Sequence, residues 1–290
     1  LHAPPDELRK AMAAIPESGW VRKLMEHREK DGRWGKDAYT PKWACTHYVL
    51  YELMQLGMPN DSQGCAASCA SLLGHPIGRD GGINYARTVE YSDVCINGML
   101  LSIASYFNIE GEATREILDY ILRVRMADGG WNCEYMHGAV HSSLHTTIAV
   151  IEGLETYLSK GKRERRAEIE EAIAGAIEFI LEHRLYKSDK TGEAIKDEFF
   201  KFCFPVRWKY DILRCLDLFR KYKVRYDERM SDALDVVEGA KDKNGRWKAS
   251  SQPGTTYFVM EKPGERSRWN TLRAMRVLIH YGRMPAIDSR

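Results

Sequence analysis

The tetrapeptide DGGW at residues 128–131 has counterparts in DGRW (31–34), DGGI (80–83) and NGRW (244–247). The steps between them are 49, 48 and 116 residues; the last covers two units, and a weaker mark, KTGE (190–193), falls inside it. A fixed period of this size is the signature of repeated supersecondary units. Ahead of each tetrapeptide runs a helical pattern such as EILDYILRVRM (116–126), with apolar residues at three- and four-residue steps. Glycine in the tetrapeptide suits the left-handed turn that ends a helix. The aromatic that follows is expected to pack back over the turn. A second, more apolar helix comes after a loop, as in MLLSIASYF (99–107), TTIAVIEGLETYL (146–158) and WNTLRAMRVLIHY (269–281). Strand-like alternation is scarce.

The expected fold is therefore all-α, with about five helical hairpins at residues 16–58, 60–109, 111–158, 164–223 and 226–283. One hairpin cannot bury its apolar face alone, so the units must stack. The more apolar second helices point to an inner, doubly covered layer. That favours an α/α toroid, one domain over residues 1–290, with the starts of the inner helices sharing one rim of a central cavity.

Hydrophobic residues make up 44% of the chain and charged residues 29%, with a net charge of +2. This is ordinary for a soluble globular protein and advertises no nucleic-acid partner. No apolar run reaches the roughly 20 residues of a membrane span, and the opening LHAPPDELRK has no apolar signal core. The seven cysteines are odd in number, lie in helix-like segments and include no CxxC pair. A reducing cytoplasm is the expected setting. Cys65 and Cys69, four apart on one apolar face, read as small buried hydrophobes.

Aligning the second helices by their apolar pattern brings Cys45, Cys95 and His145 to one rung, at offsets of 50 residues, with Asp93 just before Cys95. Thiolate, imidazole and carboxylate are the ligand types of zinc, and a helix start favours the two anions. Zinc held by Asp93, Cys95 and His145 is the expected cofactor, catalytic where a fourth position stays open. The bland alternative has Asp93 as a helix cap, Cys95 as core packing and His145 as a satisfied interior histidine. Cys133, His141 and Cys45 are candidates for a fourth ligand, and the sequence does not choose among them. His137 reads as solvated.

Other residues fall at the same rim. YTPKWACTHY (39–48) supplies Trp43 and His47 with Tyr39 and Lys42, and CFPVRWKYD (203–211) supplies Trp208 and Tyr210 with Arg207 and Asp211. RSRWN (266–270) supplies Arg268 and Trp269. Functionally these are stacking walls and cations for a polar or anionic substrate group. The alternative makes the tryptophans wedges between repeats and the arginines surface residues.

The turn motif and hairpin order resemble the prenyltransferase and terpenoid-cyclase superfamily of α/α toroids. SDVCING (92–98) resembles the Asp-x-Cys zinc motif of the protein prenyltransferase β subunits, and GGWNCEYMHGAVHSSLHTT (129–147) resembles their later Gly-Gly segment ending in His-Thr. The resemblance implies Asp93, Cys95 and His145 as zinc ligands and Arg87 as a residue facing an isoprenoid diphosphate. It also implies transfer to a thiol and a helical partner subunit, although no partner is visible in this sequence. Two departures weaken a diphosphate site: Glu90 stands where the family has a second basic residue, and Ile96 where it has an aromatic. The DxDD string of the class II cyclases is absent, so protonation-driven cyclisation is not expected unless a lone acid such as Asp93 or Asp211 supplies the proton. Three functions follow in order. The first is a zinc-dependent transferase acting on a small molecule or peptide with an apolar part. The others are a ligand- or peptide-binding toroid with structural zinc, and a plain scaffold without metal.

Overall fold

A computed structural model describes residues 4–86, 88–161 and 164–285. Among them, regular structure is confined to helices, with three isolated bridges and no longer strand, so the chain is all-α. A first helix, α1 (Pro5–Ala14), precedes a succession of pairs. These are α2 (Gly19–Glu26) with α3 (Thr46–Gln55), α4 (Gln63–Leu73) with α5 (Val94–Tyr106), and α6 (Glu112–Arg123) with α7 (Leu144–Ser159). Then come α8 (Arg166–Glu182) with α9 (Ile212–Lys221), and α10 (Ser231–Gly239) with α11 (Arg268–His280). No helix among the described residues is long and apolar enough to cross a membrane.

The chain divides into two compact units, one of Pro4–Ala176 with Gly254–Phe258, the other of Ile177–Pro253 and the chain from Val259. In the first unit the paired helices form two layers. The second members are buried along most of their length, α7 from Leu144 to Leu158 with few breaks. Of the first members, α2 buries only Val21 and Leu24. The sequence contrast between apolar second helices and amphipathic first helices is thus a contrast between an inner and an outer layer.

Close approach inside the inner layer rests on two glycines. Helices α5 and α7 share an extensive interface, and they meet at Gly98 and Gly153. A Cβ at Gly153 would lie 2.4 Å from the Gly98 carbonyl oxygen, and one at Gly98 would lie 2.8 Å from that of Ala149.

The aromatic after each turn has the role expected of it. Trp34, Trp131 and Trp247 are fully buried. Their indoles donate to the carbonyls of Leu24, Ile121 and Val237 at 2.8, 2.7 and 2.6 Å, in each case ten residues back. Those carbonyls lie near the ends of the outer helices, where backbone acceptors lack intrahelical partners. The backbone N–H groups of the same tryptophans donate to Thr46, Thr147 and Thr271 at 3.0, 3.0 and 3.1 Å, at the start of the inner helices. At DGGI, Ile83 uses Asn97 in place of a threonine, at 2.9 Å.

In the second unit α9 packs on α11, with α10 against both. Asp211 caps α9, accepting the Arg214 N–H at 2.7 Å. Arg214 is itself buried and donates to the Arg207 and Lys209 carbonyls at 2.6 and 2.7 Å.

Candidate functional site

Three residues from the starts of α5 and of the turn after Trp131 come together in the first unit. Asp93 is the residue before α5, yet its carboxylate makes no capping bond. The cap reading of Asp93 therefore fails, and its carboxylate instead meets the Cys133 thiol. Cys133 opens a short 3-10 turn, Cys133–His137, in which no residue is buried. Two polar anchors fix that turn. The Asn132 side chain accepts the Glu134 N–H at 3.0 Å, and the Tyr135 hydroxyl donates to Asp80 at 3.0 Å. Asp80, from DGGI, also accepts from the Ser92 N–H at 2.9 Å, so one carboxylate positions both the Cys133 turn and the chain entering α5.

The Cys133 sulfur accepts the Cys95 N–H at 3.5 Å and touches the Thr146 hydroxyl at 3.5 Å. The Cys95 thiol donates to it as well, which holds the Cys133 pKa below the usual thiol value and pushes that of Cys95 above it. These donors, at the positive end of α5, are what stabilises a thiolate. Burial raises the Asp93 carboxyl, against the pull of the Lys42 ammonium. Chemically, the arrangement is one sulfur prepared to carry negative charge between a thiol and a carboxyl group.

An aromatic layer lies beside this cluster. The Tyr39 hydroxyl, raised by burial, feels both Cys95 and Asp93 and bonds to the Tyr48 hydroxyl at 2.7 Å. Tyr39 is followed by Tyr85, with centroids 5.9 Å apart. Tyr85 in turn walls a cleft of about 640 Å³, whose other sides include His75, Ile77, Val89 and the Arg79–Glu90 ion pair. That volume is in the range of small-molecule sites, roughly 300–1,000 Å³.

His47 belongs to this layer, its ring 5.6 Å from that of Tyr85. Its Nδ1 meets the Tyr85 hydroxyl at 3.2 Å, while its Nε2 is buried without a hydrogen-bond partner. Burial pushes its pKa from 6.5 down to about 3. The unfolded chain takes up a proton near 6.5 that the folded chain refuses until about 3, so this contribution is whole above 6.5 and is lost as the pH falls toward 3. The slope is about 1.4 kcal/mol per pH unit. Urea unfolding at about pH 7 and about pH 5 should show the wild type losing about 2 kcal/mol more than His47→Gln. Equal losses would remove His47 as the cause.

The remaining expected residues lie each within its own unit. Cys95 and His145 both stand second in their helices. His145 is half-buried, next to the Thr146 that touches Cys133. Cys45 is not on that rung: the hydrogen-bond equivalents Thr46, Asn97 and Thr147 put it one residue later, and its buried thiol is pushed up to about 12. His141 is exposed, with its carbonyl accepting from Asn132. Arg87 lies outside the described residues. Trp43 is buried edge-on to Tyr48. In the second unit Tyr210 is buried with its hydroxyl on the Leu185 carbonyl at 2.6 Å, and Trp269 stacks on Phe204 at 4.3 Å. Trp208 is half-buried beside Lys209. Arg268 is exposed, whereas Arg207 is buried against Gln252, not a surface residue. Tyr85 was not anticipated, because nothing in NYARTV marks it as part of a ring layer.

Asp93, Cys95 and Cys133 have the donor chemistry of a zinc site. As the side chains stand, however, no group of three or more His, Cys, Asp or Glu among the described residues could hold a metal ion.

No protein-family model matches the chain, and neither does any curated protein. Solved structures of the type II terpene cyclase MstE from Scytonema are similar to it. A substituted form in complex with merosterolic acid A (product) matches at 15% identity and a TM-score of 0.40, over 95% of this chain and 97% of that one. Another substituted form, in complex with geranylgeranyl dihydroxybenzoate (substrate), matches at 13% identity and a TM-score of 0.38, over 95% and 96%. At this level the likeness assigns no activity and no residue role, and the fold class rests on the helices themselves.

Proposed function

We propose that the chain is an enzyme whose reaction centre is Asp93, Cys95 and Cys133, acting on a substrate with an apolar part, and that zinc is its metal. The observation that supports this most is the set of polar contacts converging on the Cys133 sulfur from the Cys95 N–H and the Thr146 hydroxyl. Zinc held by Asp93, Cys95 and His145, with Cys133 as a candidate fourth ligand, would activate a thiol, water or carbonyl of the substrate, and transfer to a thiol is the reaction class proposed. The chain's own contributions are separate from the metal. Lys42 offsets the Asp93 charge, and the apolar residues Ile77 and Val89 line the cleft behind Tyr85.

A second reading, a binding module with structural zinc, draws support from the close packing of Trp43 and Tyr39 on Tyr48 in the ring layer beside the centre. Elemental analysis tests what the two share: about one zinc per chain is expected, lost in Cys95→Ala and sharply reduced in His145→Ala. Metal-free wild type, or full zinc retention in both variants, would end the zinc proposal. Cobalt substitution separates the readings. An absorption spectrum that shifts on adding a small thiol indicates an open position, and an unresponsive one indicates a closed structural site.

A further inference from the structure

We propose that Cys95 and Cys133 close into a reversible intrachain disulfide, making the pair a site of oxidation by hydroperoxides. The inference stands on contact and access, independently of any metal. The Cys133 sulfur lies 3.5 Å from the Cys95 amide nitrogen although the residues are 38 apart in sequence. Of the seven free cysteines these two are only half-buried, while Cys45, Cys65, Cys69, Cys203 and Cys215 are buried. An oxidant in solution therefore reaches this pair first.

The bond requires the sulfurs to approach to about 2.05 Å. Cys95 is fixed in the first turn of α5, so the movement falls on the Cys133–His137 turn. That turn can supply it, because it buries no residue and ends at Gly138 in a left-handed conformation. The chemistry balances with one hydroperoxide. One sulfur attacks the peroxide oxygen, the O–O bond breaks, and a sulfenic acid forms while the rest of the peroxide leaves as an alcohol, or as water when the oxidant is hydrogen peroxide. The second sulfur then displaces the sulfenic oxygen as water, closing the S–S bond. A dithiol reverses it. Once closed, the disulfide ties the Cys133 turn to α5 and removes two sulfurs from the donor set of the proposed centre.

The test uses the full chain, reduced, freed of metal by chelation and treated with graded hydrogen peroxide. Two of the seven thiols should disappear together. Peptide mapping should find residues 95 and 133 in one cross-linked species about 2 Da lighter than its separate peptides, and dithiothreitol should restore both thiols. The oxidised protein should melt about 5 °C higher, since the bond restricts the unfolded chain. Cys133→Ser should leave no cross-link at Cys95; if that variant fails to fold, mapping of the wild type decides alone. A first cross-link elsewhere, sulfinic acid on either sulfur without a bond, or chains joined to one another at low protein concentration would each overturn the proposal.

Discussion

Gly153→Ala is expected to destabilise the chain by about 2–3 kcal/mol, opposite in sign to the same change on an exposed helix. There, Gly→Ala gains about 1 kcal/mol through backbone entropy. Here the new Cβ would stand 2.4 Å from the Gly98 carbonyl oxygen and 3.3 Å from the Leu101 Cβ. The first neighbour is backbone in the middle of α5 and cannot rotate away. Relief requires α5 and α7 to separate, which loosens an extensive helix interface. Overpacking of this kind typically costs about 1–3 kcal/mol, and the lost contacts along α7 outweigh the propensity gain. Gly98→Ala meets Ala149 and Val150 backbone at 2.8 to 2.9 Å and should cost somewhat less. Because the two positions face each other, the double variant should not show the sum. Urea midpoints decide the matter; a Gly153→Ala protein as stable as wild type would mean that the helices are not held by backbone approach.

How much of this was legible before the structure depends on the kind of information. The turn tetrapeptides and the apolar second helices carry local signals, and the helix pairs and buried tryptophans follow from them. Asp93 and Cys95 sit two residues apart, so their shared placement was also local. The role of Cys133 was not. Its position depends on where its loop crosses, which Tyr135 and Asp80 decide through a bond between residues 55 apart in sequence. An offset counted in residues carried Cys45 onto the wrong rung, because Thr46 and Asn97 are 51 residues apart whereas Asn97 and Thr147 are 50 apart. Only the equivalence of Thr46, Asn97 and Thr147 reveals the slip. Rings and arginines were the least legible class. Trp43, Tyr210 and Arg207 read as pocket candidates, or the arginine as surface, yet all three are buried among their own neighbours. Residue type signals that a large side chain needs a partner, not whether the partner is a substrate or the fold.

Trp131 carries the other large expected effect, since it joins the repeat to the site. Trp131→Ala should cost about 4 kcal/mol, as removal of a fully buried tryptophan does when the cavity cannot collapse. It is 0% exposed, between the end of α6 and the start of α7, where its N–H meets Thr147 and its indole holds the Ile121 carbonyl. Trp131→Phe separates the two contributions. The ring still fills most of the space, but the Ile121 carbonyl loses its donor, which alone costs about 1–3 kcal/mol. Ile83→Ala, at the equivalent turn that has no indole, should fall below Trp131→Ala, because a smaller side chain and no such bond are lost. The consequence for the site is separable from stability. Cys133 is two residues beyond Trp131, so in Trp131→Phe, still folded at low temperature, the Cys133 turn should loosen from α5. Alkylation of Cys133 should then accelerate several-fold while the five buried cysteines stay protected. Unchanged alkylation would mean that Tyr135 and Asn132 hold the turn without help from the repeat, and that the tryptophan supports the fold alone.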